Sequence, residues 1–202
     1  MKEFVIATTN QGKMREIRGL LADFDFKITS LADYPEAPEV VEDGKTFRAN
    51  AIKKARTIAM YTKKLTLGED SGLEVKVLDN APGIYSARFS GPQATDKKNN
   101  AKLLRELRGV PLEERRACYR CCAVIVDGTK KDLPIVGVAN GRCHGLIALR
   151  AKGKNGFGYD PYFFLPRYNQ TFGQLDPAIK AKSSHRAQAF EKIKKILNDF
   201  IF

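Results

Sequence analysis

The sequence lacks any apolar run that approaches the ~20 residues of a membrane span. Its first residues, Met1 to Phe4, lead into a short strand-like segment and contain no signal-peptide core. These absences predict a soluble, cytoplasmic protein with no membrane partner. No internal repeat and no shift in composition marks a linker, so residues 1–202 are expected to form one domain. Hydrophobic residues make up 43% of the chain, which excludes a disordered protein.

Acidic residues are also scarce relative to basic ones. The chain has 23 Asp and Glu residues against 35 Lys and Arg residues, and its formal net charge is +12. Such an excess suits a polyanionic partner, which could be nucleic acid, an anionic membrane or a multiply charged nucleotide. The net charge by itself does not choose among these three.

Only four cysteines are present, and their spacing disfavours a zinc site. Residues 116–126 have the pattern of a strand, so Cys118 and Cys121 would point to opposite sheet faces. Cys118 and Cys122 share a face but would lie roughly 13 Å apart. We therefore expect these residues and Cys143 to be reduced thiols packed in or on a sheet.

The most informative stretch is the pentapeptide at residues 68–72, Gly-Glu-Asp-Ser-Gly. An apolar run precedes it and an alternating run follows it, which predicts a strand, a tight turn and a second strand. Adjacent carboxylates at Glu69 and Asp70 repel each other unless a cation lies nearby. A hard cation such as Mg²⁺ binds carboxylates and completes its shell with water and substrate phosphates. The alternative is a solvated turn, because Asp, Ser and Gly are favoured turn residues.

A second candidate segment is residues 8–13, between a predicted strand at 2–7 and a predicted helix at 13–24. Small polar residues, Gly12 and Lys13 at a helix start can bind phosphate through free backbone N–H groups. The segment is not a Walker motif, because the first Gly is missing and Met14 replaces the hydroxyl residue. An ordinary capped turn is the alternative.

Glu42 precedes a predicted helix at residues 46–62. Its carboxylate can be a favourable charge at the helix N-terminus. It can equally be a further ligand for the ion expected at Glu69 and Asp70.

The second half of the chain is predicted to contain an antiparallel set of strands. A long connection at 79–95 and a helix at 95–108 come first, followed by strands at 116–126, 133–139 and 143–149. The dipeptides Asp127-Gly128 and Asn140-Gly141 are strong hairpin signals between these strands.

Residues 153–161 form a glycine-rich loop that contains Phe157, Tyr159 and Asp160. Packing alone rarely places two aromatic rings in so flexible a loop, whereas a planar base would stack on either ring. A final helix follows Ser184, so His185 and Arg186 lie at its N-terminus. Cations are disfavoured there unless an anion or an acceptor is nearby.

Together these stretches resemble the inosine/xanthosine triphosphate pyrophosphatase family, nearly from end to end and in the family's order. The matching motifs are residues 8–13, 42–47, 50–51, 69–72, 83–88, 156–161 and 184–186. Each motif alone is weakly specific, but their combination in register is highly specific. Ala49 and Gln174 stand where many relatives carry Glu, and Glu69 stands where many carry Asp.

The resemblance implies an α/β fold with a long central mixed β-sheet flanked by helices. It further implies two lobes with an active-site cleft between them, and a homodimer. The implied reaction is Mg²⁺-dependent hydrolysis of ITP, dITP and XTP to the monophosphate and pyrophosphate. Phosphoryl transfer of this kind depends on positioning and charge neutralisation more than on covalent help.

The resemblance also implies a role for each candidate residue. Asp70 would bind the metal and act as the base, and Glu42 and Glu69 would complete the metal site. The triphosphate would be bound by Thr8, Thr9, Asn10, Gln11, Gly12 and Lys13, with help from Ser71 and Lys180. Phe157, in one loop with Gly158 and Tyr159, would stack on the base, whose edge would be read by Asp160, His185 and Arg186.

Two alternatives stay open at this stage. A related pyrophosphatase for methylated or pyrimidine nucleotides would share the core and differ in its base pocket. A basic nucleic-acid-binding module would explain the charge of +12. It would not explain three acidic side chains near the expected phosphates, which would repel a bare nucleic-acid backbone.

Overall fold

The computed structural model describes residues 2–201. Their strands are β1 (Lys2–Ile6), β2 (Phe26–Ser30), β3 (Leu65–Val75), β4 (Arg116–Asp127), β5 (Ile135–Ile147), β6 (Phe163–Leu165) and β7 (Gln170–Thr171). Their α-helices are α1 (Gln11–Leu20), α2 (Phe47–Thr62), α3 (Asp96–Glu106), α4 (Pro177–Ser183) and α5 (His185–Ile201). Within this described range, no helix has both the length and the apolar character needed to cross a bilayer.

The strands form one mixed sheet in the order β2-β1-β3-β4-β5-β6-β7. Strand β1 pairs in parallel with β2 and with β3, and Ile6 is aligned with Leu67 of β3. Strands β5, β6 and β7 pair antiparallel. The predicted mixed α/β sheet with flanking helices is therefore confirmed.

The predicted turn at residues 68–72 is wrong, because β3 runs without interruption from Leu65 to Val75. Glu69 and Asp70 are both buried in the middle of this strand. Adjacent side chains in a strand point to opposite faces of the sheet. The two carboxylates thus avoid each other because they lie on different faces, and no turn is needed to separate them.

The predicted hairpin at Asn140-Gly141 is also wrong, because β5 continues through both residues. From Ala139 to His144 buried and exposed residues alternate strictly, as expected for a strand with one solvated face. Pairing within the sheet has overridden the local turn preference. Helix α4, which the sequence pattern did not predict, is a short segment opened by Pro177 and capped by Asp176.

The described residues form two compact units. Unit 1 comprises residues 2–70, 121–141 and 186–201, and unit 2 comprises residues 71–120 and 142–185. The single domain with two lobes, and the cleft between them, stay predictions. Met1 and Phe202, which belong to the predicted domain at 1–202, lie outside the described residues.

Unit 1 has three layers. On one sheet face, alternate residues of β1 and β4 pack against α1 and α5; this cluster includes Phe4, Met14, Ile17, Ala123, Phe190 and Ile193. On the other face the intervening strand residues, including Val124 and Val126 of β4, pack against the small side chains Ala51 and Ala55 of α2. Glu69 points toward the first of these faces and Asp70 toward the second.

Unit 2 has its own core, built around α3, the ends of the central strands and the strands β6 and β7. Its buried side chains include Leu73, Leu103, Leu107, Tyr119, Phe163 and Phe172. Tyr119, Phe163 and Phe172 form an aromatic cluster with ring centroids 4.6–5.9 Å apart. Tyr119 of this cluster also hydrogen-bonds Asp160 in the glycine-rich loop.

Gly68→Ala is expected to destabilise unit 1. A Cβ added at Gly68 would lie 2.2 Å from the carbonyl oxygen of Ala51 and 2.6 Å from the nitrogen of Ala55. Both are backbone atoms of α2, so relief requires moving the helix off the strand, at a cost of about 1–3 kcal/mol or more. The measurement is the free energy of unfolding in denaturant.

Gly19→Ala is the matched control, because a Cβ at that position in α1 has nothing within 4 Å. Removing a glycine from a helix interior should stabilise the protein by roughly 0.5–1 kcal/mol. Equal stability changes for the two variants would contradict the close approach of β3 to α2.

Candidate active site

Asp70 lies in a cluster of charged and polar side chains on the α2 side of the sheet. The Nζ of Lys54 is 2.7 Å from Glu42 Oε1 and 3.1 Å from Asp70 Oδ1. Asn50 donates its Nδ2 hydrogen to Asp70 Oδ2 at 3.1 Å. The same Asn50 accepts the backbone N–H of Gly44 at 2.8 Å, which fixes the loop that carries Glu42. One lysine therefore joins two predicted metal-binding carboxylates.

The sequence interpretation missed Lys54. Lys54 lies one helical turn after Asn50, so both side chains reach the same face of α2. The Asn-Ala motif at residues 50–51 identified this helix, and the polar residue four positions later was the available signal. A buried lysine on a face lined with alanines is unusual, since lysines are almost never buried unless paired.

Glu69 lies in a different cluster on the opposite face. Its Oε2 is 2.8 Å from Lys13 Nζ, and its Oε1 is 3.0 Å from Nη2 of Arg186. Oε1 also accepts a hydrogen bond from the Cys121 thiol at 3.3 Å. Arg186 is only 1% exposed and donates a second hydrogen bond, from Nη1, to Glu16 of α1. The anion expected near the start of α5 is thus supplied by two protein carboxylates.

The pKa values of Glu69 and Asp70 are shifted in opposite directions. Burial raises the pKa of Asp70, and Lys54 and Lys13 offset that effect only in part. Burial also acts to raise the pKa of Glu69, but Arg186 and Lys13 outweigh it and hold that pKa well below its usual range. Glu69 is consequently a permanent anion, whereas Asp70 is the better candidate for a group that accepts a proton.

The predicted phosphate loop, Thr8 to Lys13, connects the end of β1 to α1 and is largely exposed. Helix α1 begins at Gln11, two residues earlier than predicted, so Gln11, Gly12 and Lys13 form its first turn. Asn10 is the N-cap, and its side chain accepts the Lys13 N–H at 2.9 Å. The loop leaves the carboxyl end of a parallel strand, the usual place for a ligand in such sheets. Because Ile6 aligns with Leu67, this loop lies beside the part of β3 that carries Glu69 and Asp70.

The geometry fits a metal ion in one of the two clusters. Residues 2–201 contain no group of three or more His, Cys, Asp or Glu side chains arranged to hold a metal ion. Glu42 and Asp70, however, already share one cation, the ammonium of Lys54. Mg²⁺ needs only one or two protein carboxylates beside water and substrate phosphate. Both oxygens of Glu69 are engaged by other side chains, and its role as a metal ligand stays a prediction.

In unit 2 the glycine-rich loop is organised by Asp160, which is buried. Asp160 Oδ2 accepts the Phe157 N–H at 2.9 Å and pairs with Lys180 Nζ at 2.6 Å. Oδ1 accepts the Tyr119 hydroxyl at 3.3 Å. A Cβ added at Gly156 would lie 2.0 Å from Asp160 Oδ2, which explains the glycine at that position. The predicted base reader thus also holds the loop together.

The remaining predicted residues of unit 2 surround this loop. Lys180, on α4, is buried, and its Nζ lies 5.3 Å from the ring centroid of Phe157 and 5.3 Å from that of Phe172. His185 stacks on Tyr119 with centroids 4.6 Å apart and an interplanar angle of 9°. Tyr159 is buried and donates its hydroxyl to the Ser86 carbonyl at 2.8 Å.

Each unit therefore brings together part of the predicted site. Unit 1 joins Lys13 with Glu69 and Arg186, and Glu42 with Asp70. Unit 2 joins Phe157 and Gly158 with Asp160 and Lys180, and contains His185 and the half-buried Ser71, which follows Asp70 in β3. The chemical role of each of these residues stays a prediction. Among the residues that the sequence interpretation missed are Lys54, Glu16 and Tyr119.

A model of the Ham1 family matches residues 4–196 of this chain. The chain belongs to the Ham1 family. A protein of Desulforamulus reducens named dITP/XTP pyrophosphatase is 46% identical over 97% of this Ham1 chain and 96% of its own length. A protein of the same name from Shouchella clausii is 43% identical over 98% and 97% of the two chains.

Solved structures agree with this assignment. A HAM1 protein from Coxiella burnetii superposes with a TM-score of 0.87 at 37% identity, covering 98% of this chain and all of that one. The Ham1 protein of Staphylococcus aureus gives a TM-score of 0.84 at 36% identity, again over 98% and 100%. The predicted family and its mixed sheet flanked by helices are thereby confirmed.

Proposed function

We propose that this chain hydrolyses the non-standard purine nucleotides ITP, dITP and XTP to the monophosphate and pyrophosphate. The observation that carries the proposal is the group of buried Asp70, Lys54 and Asn50 with the half-buried Glu42, which presents paired carboxylates beside a phosphate-type loop. The relatives named dITP/XTP pyrophosphatase, which match nearly the whole chain, support the substrate class.

Residues of unit 1 would bind the triphosphate. The first turn of α1 offers backbone N–H groups that have no acceptor within the helix, and its dipole favours an anion. Lys13 adds a positive charge whose position is fixed by Glu69, 2.8 Å away. Thr8, Thr9 and Asn10 line the same exposed loop. These groups would orient the phosphates and neutralise part of their charge before any bond changes.

Glu42 and Asp70 would hold a Mg²⁺ ion, which would neutralise charge that builds up on the phosphate oxygens. Asp70 would accept the proton of the attacking water while Asn50 and Lys54 hold its two oxygens in place. The water oxygen would bond to the α-phosphorus, and the anhydride bond between the α- and β-phosphates would break. Pyrophosphate leaves with the bonding electron pair. The raised pKa of Asp70 suits a proton acceptor.

Residues of unit 2 would bind the base. Phe157 would stack on the purine, and the Asp160–Lys180 pair would hold the loop that presents it. His185, the last residue of unit 2, and Arg186, which belongs to unit 1, would read the base edge. The 6-carbonyl of hypoxanthine and xanthine accepts hydrogen bonds, whereas the 6-amino group of adenine donates them. A donor-only group such as Arg186 would therefore favour the deaminated purines over adenine.

The experiment that tests the proposal is a nucleotide panel with the purified protein. Pyrophosphate release should be fastest with ITP, dITP and XTP, much slower with ATP and GTP, and absent when Mg²⁺ is chelated. Fastest hydrolysis of a methylated or pyrimidine nucleotide would instead favour the related pyrophosphatase. No pyrophosphate release from any triphosphate, together with salt-dependent duplex binding, would favour the nucleic-acid module.

Glu42→Gln is expected to raise the Mg²⁺ concentration that gives the half-maximal rate by several-fold. The substitution removes one of two carboxylate ligands but keeps an oxygen toward Lys54, so folding should be largely preserved. The measurement is the initial rate with ITP as a function of Mg²⁺. Glu39→Gln, an exposed change in the same loop, is the control. An unchanged Mg²⁺ titration for Glu42→Gln would leave that residue as a helix-end charge.

The cytoplasmic location and the homodimer also remain proposals, consistent with a nucleotide substrate. Light scattering during size-exclusion chromatography tests the dimer, which would elute with about twice the chain mass of 22.6 kDa.

A further inference from the structure

Helix α3 of unit 2 hydrogen-bonds both backbone polar groups, the N–H and the carbonyl oxygen, of one residue in the glycine-rich loop. The Gly158 N–H donates to Oδ2 of Asp96 at 2.7 Å. The side-chain Nδ2 of Asn100 donates to the Gly158 carbonyl oxygen at 2.9 Å. Asp96 and Asn100 lie four positions apart and share one face of α3. Neither residue belongs to the motifs that identified the family.

The helix is suited to this task because its own position is fixed. Thr95 caps α3 by accepting the Lys98 N–H at 3.2 Å. Asn99 is buried, accepts the N–H and hydroxyl of Ser90, and donates to the Ser86 and Ala87 carbonyls. The same helix thus anchors the connection at residues 83–91. In the C-terminal half of the helix, Leu103 packs into the core of unit 2.

Gly158 needs external support. Its φ is +62°, a conformation that glycine adopts without strain, and a Cβ there would meet nothing within 4 Å. No side-chain packing is available at this position, and the peptide groups of Gly158 are held by their hydrogen bonds to Asp96 and Asn100. On the other side of the loop, Asp160 Oδ2 accepts the Phe157 N–H. The backbone that carries the Phe157 ring is consequently fixed on both sides. Asp160 binds the N–H of Phe157, and α3 binds the N–H and the carbonyl oxygen of Gly158.

We propose that Asp96 and Asn100 are positioning residues for base recognition: by holding the Gly158 peptide groups they keep Phe157 ready to stack on the purine. The inference rests on the proposed nucleotide function and adds two residues to it. Its physical basis is preorganisation, because a loop that is already ordered loses less entropy when the base binds. The affinity for the triphosphate group, which unit 1 would bind, should not depend on these two residues.

Two substitutions remove the contacts in different ways. Asp96→Ala removes the acceptor, and Asn100→Asp removes the donor while keeping the side chain's shape. Asp96→Asn should restore function, because its amide oxygen still accepts the Gly158 N–H. Glu106→Gln is the control for lost charge, since Glu106 lies on the same helix and forms an ion pair with Arg105 there.

The readouts are the dissociation constants of IMP, which carries the base, and of tripolyphosphate, which does not, both by calorimetry. We expect Asp96→Ala and Asn100→Asp to weaken IMP binding about three- to tenfold and to raise KM for ITP similarly. Binding of tripolyphosphate should change less than twofold, and kcat less than threefold. Asp96→Asn and Glu106→Gln should stay near wild type. Amide exchange at Gly158 should accelerate in Asp96→Ala, with the core of unit 2 unchanged.

Unchanged IMP binding in both Asp96→Ala and Asn100→Asp would overturn the inference. So would equal losses for IMP and tripolyphosphate, which would indicate a general effect on the fold. Failure of the proposed function has a different signature: the wild-type protein would release no pyrophosphate from the panel. The IMP measurements need no turnover, so they judge Asp96 and Asn100 in either case.

Discussion

Asp70→Asn is expected to lower kcat for ITP by about 10² or more while leaving nucleotide binding largely intact. The amide cannot accept the proton of the attacking water, and it is a poorer metal ligand than a carboxylate. It has nearly the same shape, however, and its oxygen can still accept from Lys54. Steady-state kinetics together with equilibrium binding of ITP in the absence of Mg²⁺ separates these effects.

The matched control for Asp70→Asn is Asp43→Asn. Asp43 makes a similar ion pair, 2.7 Å from Lys53, but that pair is exposed to solvent. Exposed pairs contribute little, so this variant should keep nearly full activity. A folded Asp70→Asn protein with near-normal kcat would remove Asp70 from the role of base.

Lys54→Met is expected to lower the free energy of unfolding by about 3–5 kcal/mol at neutral pH in the absence of divalent ions. The side chains of Lys54 and Asp70 are only 9% and 5% exposed, so removing the ammonium leaves a buried carboxylate without its cation. Burial acts to lower the pKa of Lys54, but the carboxylates of Asp70 and Glu42 outweigh it and raise that pKa. Denaturant titration of the variant and the wild type measures the loss.

The adjacent residue supplies the control, because Lys53→Met is the same change in an exposed pair. It should alter stability by less than about 1 kcal/mol. If Glu42 and Asp70 take a divalent ion, Mg²⁺ should recover part of the stability lost in Lys54→Met, since any ligand that binds only the folded state stabilises it. Equal losses of stability in the two methionine variants would refute the buried ion pair between Lys54 and Asp70. No recovery with Mg²⁺ would count against Glu42 and Asp70 as the metal ligands.

The pentapeptide at residues 68–72 shows how far sequence reasoning reaches. Its composition suggested two acids at a turn that share one cation. In the structure the segment is a buried strand, and each acid has its own cation on its own face. The glycine that suggested a turn is needed for another reason, since the α2 backbone leaves no space for a side chain at Gly68. Turn propensity could not reveal this, because the constraint comes from a helix distant in sequence.

The glycine-rich loop gives a second example. Sequence reasoning selected Phe157, Asp160 and Lys180 from a glycine-rich segment and a family motif, and the structure brings all three together in unit 2. It did not select Asp96 and Asn100, which look like ordinary polar residues at the start of an exposed helix. Their contacts with Gly158 span about 60 residues of chain, and no local pattern encodes a contact of that range.

The sequence by itself determined the family, the order of most helices and strands, and the residue types available for phosphate, metal and base. These follow from hydrophobic periodicity and from motifs, which are local properties of the chain. Only the tertiary structure decided which charges meet. Glu69 and Asp70 are neighbours in sequence yet face opposite ways, while Glu69 and Arg186 are 117 positions apart and form a buried ion pair. The physical reason is that a strand alternates its side chains between two faces, and packing against separate helices gives each face its own partners.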